Sequence, residues 1–88
     1  MKASYSKFLR ECAEIADDRA EKYGDIRENF ERTSVLCKAM FGLDLTAVQV
    51  VQVLIAVKWA REKFRPSKDN RLDAANYTTI LHSLINET

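Results

Sequence analysis

The sequence predicts an all-α protein, a small four-helix bundle formed by one domain over residues 1–88. Three observations support this fold class. Apolar residues recur at helical spacing over four stretches. The few turn-forming residues, two glycines and one proline, fall between those stretches. Finally, the run from Ala47 to Phe64 contains no helix breaker and is too long for an ordinary strand.

Each predicted helix is bounded by residues that cap or terminate helices. A side chain able to accept a hydrogen bond from the first turn precedes each one, and glycine or proline follows three of them. The predicted N-caps are Ser4 or Ser6, Asp25, Thr46, and Asp69 or Asn70. The predicted terminators are Gly24, Gly42 and Pro66. These signals place the helices at about residues 5–23, 26–41, 47–64 and 71–86.

The third predicted helix is rich in β-branched residues, which favour strands. Its length and the capping-box pair Thr46 and Gln49 outweigh that preference. Apolar residues cover most of its circumference, so we expect it to be the central and most buried helix. One apolar flank contains Val48, Ile55 and Trp59, and another contains Val50, Val53, Val57 and Phe64.

Three short neighbours cannot readily cover both flanks of the third helix. We therefore expect the remaining flank to contact a second subunit in a homo-oligomer, a dimer or a multiple of one. We also expect Trp59 and Phe64 to be packing groups in the core or in that interface.

Composition excludes several classes of function. The net charge is +1, from 14 basic and 13 acidic residues, so no overall field favours nucleic acid or an anionic membrane. No apolar run reaches membrane-spanning length and no secretory signal is visible, so a cytoplasmic protein is expected. Cys12 and Cys37 lack metal-type spacing, and we expect both to be buried free thiols. The single histidine, His82, has no nucleophile motif beside it, so we predict no catalytic residue of the nucleophile type. We predict no cofactor, and too few carboxylates face inward to predict a metal site, so an enzyme is less expected but stays open.

Several polar residues fall on the faces that the helices turn inward. At about 100° per residue, these are Arg19, Asn29, Lys58, Arg61, Asp73 and Tyr77. Three cations against one anion would suit a phosphate or a carboxylate ligand, and we predict a ligand site formed by Asn29, Lys58, Arg61, Asp73 and Tyr77. The alternative is a structural network in which Lys58 and Arg61 pair with Asp73 and Asp69. The sequence leaves both interpretations open.

The same residues carry a resemblance to a known family. Lys22-Tyr23-Gly24-Asp25, Glu28-Asn29-Phe30, Leu45-Thr46, Lys58 with Arg61, and Asp73 with Tyr77 resemble motifs of short phage and prophage proteins with no assigned function. The likeness covers about Ala20 to Leu81. Gln49-Val50 and Asn76 depart from it, where an acid and a glycine are usual. This resemblance implies a phage-type protein acting in the cytoplasm of the host cell.

More remotely, the arrangement is similar to the all-α nucleotide pyrophosphohydrolases of the MazG type. That resemblance implies helical oligomers that bind magnesium through paired acidic motifs. Here the third helix offers only Glu62 and the fourth only Asp73 as inward acids, so we expect the metal centre to be lost.

Three functions follow from these observations. The first is binding of a nucleotide or another phosphorylated small molecule, which in a phage setting could sequester a nucleotide signal. The second is a magnesium-dependent nucleotide pyrophosphohydrolase that uses Asp73 with Glu62 or Glu28. The third is an interaction module that acts on a host or phage protein through an apolar surface.

Overall fold

The computed structural model describes residues 2–86, and for residues 2–4 and Tyr23 it describes the backbone only. Four helices follow one another along residues 2–86: α1 (Lys2–Tyr23), α2 (Ile26–Phe41), α3 (Ala47–Phe64) and α4 (Lys68–Asn86). Residues 2–86 contain no strand. The predicted all-α fold class is therefore confirmed, and the β-branched third segment is a helix.

The helix boundaries in the middle of the chain lie where the capping residues predict them. The side chain of Asp25 accepts a hydrogen bond from the Glu28 backbone N–H at 3.2 Å. Thr46 and Gln49 form both bonds of a capping box, at 2.9 and 3.1 Å. Gly24 and Gly42 each have a φ of 71°, in the left-handed region where glycine carries no steric cost.

Two predicted helix starts are wrong. The first helix begins at Lys2, so Ser4 and Ser6 lie inside it and do not cap it. The fourth begins at Lys68, because the Ser67 hydroxyl accepts a hydrogen bond from the Asn70 backbone N–H at 3.2 Å. Ser67 directly follows Pro66 and caps the helix, so α4 begins three residues earlier than the predicted start at residue 71.

The helices contact one another mainly in the order α1, α4, α3, α2. The fourth helix lies between α1 and α3, and α3 lies between α4 and α2. Arg27 of α2 also donates a 2.9 Å hydrogen bond to the backbone carbonyl of Leu84 in α4. No helix within residues 2–86 combines the length and hydropathy needed to cross a membrane.

The core is small, and α4 contributes more residues to it than any other helix. The buried hydrophobic residues are Cys12, Val50, Val51, Leu72, Ala74 and Leu84. Asn76 of α4 is buried too, and its amide donates to the Leu72 carbonyl at 3.1 Å. The prediction that α3 is the most buried helix is wrong, because in the single chain one of its apolar flanks faces solvent.

Two groups of residues that were predicted to be packed or buried differ in their exposure. Trp59 is 54% exposed and Phe64 is 91% exposed, so neither belongs to the core of the single chain. Both cysteines are free, but Cys12 is buried while Cys37 is half-buried. The prediction of burial is therefore confirmed for Cys12 only.

Candidate functional site

A cavity of about 430 Å³ opens where all four helices approach one another. One residue each comes from α1 and α3, and three each come from α2 and α4. The lining residues are Arg19, Ile26, Asn29, Phe30, Lys58, Asp73, Tyr77 and Ile80. The cavity therefore combines charged and polar groups with an apolar wall of aliphatic and aromatic side chains.

The Asp73 carboxylate is the centre of the charged cluster in this cavity. Its Oδ2 lies 2.9 Å from Nζ of Lys58, and its Oδ1 lies 3.2 Å from Nη2 of Arg19. The Lys58 side chain is 16% exposed, Asp73 23% and Arg19 40%. Lys58 and Asp73 thus form a largely desolvated pair, and the more exposed Arg19 contacts the other oxygen of the same carboxylate. One carboxylate facing two cations leaves a surplus of one positive charge.

Asn29 and Tyr77 add uncharged polar groups to the lining. Both side chains are half-buried. Tyr77 lies one turn after Asp73 on α4, so the phenol and the carboxylate share a helix face. The Asn29 amide oxygen accepts a 3.2 Å hydrogen bond from Arg32. An amide and a phenol are suited to orient a polar ligand that the charges attract.

The structure brings four of the five predicted site residues together, namely Asn29, Lys58, Asp73 and Tyr77. Arg61 does not line this cavity, and its predicted place in the cluster is wrong. Arg61 lies three residues after Lys58, an offset of about 60° around the helix, and in the structure this offset places it outside the cavity lining. Its exposed side chain lines a separate cavity near Phe64, Ser67 and Asn70.

Arg19 takes the second cationic position instead. Its signal was visible in the sequence, since Arg19 falls within the apolar stripe of the first helix. Helical spacing alone could not show which of Arg19 and Arg61 would reach Asp73. That choice depends on α1 packing against α4.

The other acids considered for metal chemistry lie elsewhere. Glu62 accepts a 2.8 Å hydrogen bond from the Ser67 backbone N–H and forms an ion pair with Arg71, which together fix the turn between α3 and α4. The pKa of the Glu62 carboxyl lies below its usual range, mainly because of the Ser67 N–H and to a smaller extent because of the Arg71 guanidinium. Glu28 is exposed near the start of α2. Within the described part of the chain, no three His, Cys, Asp or Glu side chains lie close enough to hold a metal ion.

The fold and the site together define a small all-α protein of four helices with a charged cavity between them. A family model described as a domain of unknown function, DUF6378, matches residues 7–85. The match covers most of the chain, and the protein belongs to this family. No curated protein and no solved structure shows a significant match.

Proposed function

We propose that this protein binds a small molecule that carries a phosphate group, such as a nucleotide, in the cavity around Lys58 and Asp73. The observation that carries the proposal is the surplus positive charge of the lining. Lys58 and Arg19 both contact Asp73, so one carboxylate offsets only one of two cations. Partly buried charge without a full counter-charge is costly, and an anionic ligand would remove that cost.

The chemistry of the two cations suits phosphate oxygens. Lysine binds phosphate as a point charge, and arginine can offer two N–H groups at once. The 40% exposure of the Arg19 side chain leaves part of its donor edge open to an incoming ligand. Asn29 and Tyr77 lie in the same lining and can contact a sugar hydroxyl or a second phosphate oxygen.

The apolar wall favours a nucleotide over a bare inorganic anion. Ile26, Phe30 and Ile80 line the cavity beside the charges. A volume of about 430 Å³ lies within the usual range for small-molecule sites, which runs from roughly 300 to 1,000 Å³. Phe30 is an aromatic lining residue whose ring could pack against a base. The motif resemblance to phage proteins would fit a role in sequestering such a ligand.

The geometry favours binding over magnesium-dependent hydrolysis. A pyrophosphohydrolase centre would need several carboxylates around one metal position. Asp73 is the carboxylate that lines the cavity, and both of its oxygens already contact cations. Glu62 is engaged at the α3–α4 turn instead.

The test is calorimetric titration of the full chain with nucleoside mono-, di- and triphosphates and with inorganic phosphate. Lys58→Met should weaken binding of the best nucleotide about 10- to 100-fold, since a hydrogen bond to a charged group contributes about 1.5–3 kcal/mol. Arg61→Met is the matched control, because it removes a cation from the same helix that does not line the cavity. It should leave binding unchanged.

A third variant separates a ligand site from a purely structural network. Asp73→Asn frees both cations from their counter-charge and should strengthen nucleotide binding, even though it destabilises the fold. A structural network would show the loss of stability without any gain in affinity. The proposal fails if no nucleotide or phosphate binds the parent protein at millimolar concentration, or if Lys58→Met and Arg61→Met behave alike.

A further inference from the structure

The single chain exposes much more surface than a compact protein of its size. Its accessible surface is 6671 Å², whereas a folded monomer of 10.1 kDa should expose about 5,300 Å². Its radius of gyration is 14.3 Å, against about 12 Å for a compact domain of this length. The excess area of about 1,400 Å² exceeds the roughly 800 Å² that each partner buries in a standard protein interface.

Part of this exposed surface is an ordered stripe along α3. The stripe, called the α3 seam below, consists of Val53, Val57, Ala60 and Phe64. All four are exposed, Phe64 by 91% and Val53 by 51%. Their spacings of four, three and four residues are those of the a and d positions of a coiled coil. Such a stripe is the pattern with which one helix packs along another.

The α3 seam lies away from the charged cavity. At about 100° per residue, Lys58 points roughly 130° away from the centre of the seam. The face of α3 towards α4 holds the buried Val51 and the half-buried Lys58, and the seam is on the uncovered side. A partner could therefore cover the seam without filling the cavity between the helices.

We propose that a second copy of this chain docks on the α3 seam, with the two α3 helices packed antiparallel about a twofold axis. The seam is complementary to itself in that direction. With the axis between Lys58 and Trp59, Phe64 faces the partner subunit's Val53, and Val57 faces the partner subunit's Ala60. Each layer then joins a larger side chain to a smaller one, which is what close packing requires.

The charges beside the seam agree with antiparallel pairing. Arg61 and Lys63 flank the seam near its C-terminal end, and Leu54 and Ala56 flank it near the N-terminal end. Antiparallel packing brings the cations of one copy beside the apolar flank of the other. Parallel packing would place the cations of both copies together and would also oppose Phe64 to its own counterpart.

The neighbouring surface supports an interface of this size. An open cavity of about 610 Å³ at the C-terminal end of the seam is lined by Val57, Ala60 and Phe64, together with residues around the α3–α4 turn. In the antiparallel arrangement, the N-terminal half of the partner's α3 lies beside this cavity. Beyond this cavity, the second helix, which packs against α3, contains no buried residue and exposes Val35, Leu36, Met40 and Phe41.

Sedimentation equilibrium of the full chain at micromolar concentration tests the assembly. The expected mass is twice the 10.1 kDa of one chain. Phe64→Glu should weaken self-association at least tenfold, and it should leave the fold intact because the Phe64 side chain contributes little burial within the chain. Trp59→Glu is the matched control, since Trp59 is an exposed aromatic residue of the same helix that lies off the seam.

The direction of packing has its own test. Val53→Lys should also weaken the dimer, and the double variant Val53→Lys/Phe64→Glu should restore it, because antiparallel packing pairs the new opposite charges in both layers. Parallel packing would oppose like charges, and no rescue would follow. A monomeric parent protein overturns the proposal. Equal effects of Phe64→Glu and Trp59→Glu, or a complex with another protein in place of the dimer, overturn it as well.

Discussion

Asp73→Asn is the most informative single substitution for the stability of this protein. It keeps the size of the side chain and removes the charge that Lys58 contacts at 2.9 Å and Arg19 at 3.2 Å. Both cations then remain close together without a counter-charge. The loss of the counter-charge costs more free energy at Lys58 than at Arg19, because the Lys58 side chain is only 16% exposed to solvent.

The magnitude follows from the burial of each partner. The largely buried Lys58 contact should contribute about 1.5–3 kcal/mol, as hydrogen bonds to charged groups do. The Arg19 contact is 40% exposed and should contribute less than about 1 kcal/mol, as surface ion pairs do. We expect Asp73→Asn to lower the free energy of unfolding by about 2–3 kcal/mol. At about 4–8 °C per kcal/mol for a domain of this size, Tm should fall by roughly 10–20 °C.

Urea unfolding followed by circular dichroism measures this change. All variants should be compared at one protein concentration, because self-association makes stability depend on concentration. Arg19→Gln is the matched control and should cost under about 1 kcal/mol. The double variant Lys58→Met/Asp73→Leu removes the largely buried pair and leaves Arg19, whose side chain is 40% exposed, without its partner, so it should recover most of the loss. If Asp73→Asn and Arg19→Gln unfold with the same free energy, the reasoning from burial is refuted.

Three further predictions concern other parts of the chain. A thiol reagent should label half-buried Cys37 well before Cys12, because burial both shields the Cys12 thiol and raises its pKa; mass spectrometry showing equal rates would contradict this. Because the pKa of Glu62 is lowered in the folded protein, its carboxylate stabilises the fold at pH values above its unfolded pKa of about 4.3. This stabilisation is lost as the pH falls through the folded pKa. Thermal melts of Glu62→Gln should accordingly show a weaker dependence on pH in the acid range than the parent protein. Gly42→Ala should cost about 1–2 kcal/mol from its φ of 71° alone, since an added Cβ would meet no atom within 4 Å. Melting temperatures should show a smaller loss for Gly42→Asn, which tolerates that conformation better.

The cavity and the α3 seam lie on two different sides of the same helix. Lys58 lies on the side of α3 that faces α4, and Val57 lies beside it on the seam. The apolar residues of α3 thus do not form a single buried face. This division explains why a helix with so few polar residues has only two buried residues, Val50 and Val51, in the single chain.

The sequence determined the features that depend on neighbours a few residues apart. Glycine at positions 24 and 42 ends α1 and α2, because left-handed backbone carries no steric cost there. The Thr46 and Gln49 box starts α3 for an equally local reason. Helical periodicity also placed Lys58 and Asp73 on inward faces, and the structure pairs them.

Tertiary structure alone decided which of these faces are covered. The sequence could not show that Arg19 and not Arg61 reaches Asp73, because both lie on apolar arcs of their own helices. It could not show that α4 has more buried residues than α3, since burial depends on which helix packs opposite each face. Helical spacing fixes the direction of a side chain within its own helix. The contact it makes depends on the helix packed opposite, and in this chain that partner lies tens of residues away along the sequence.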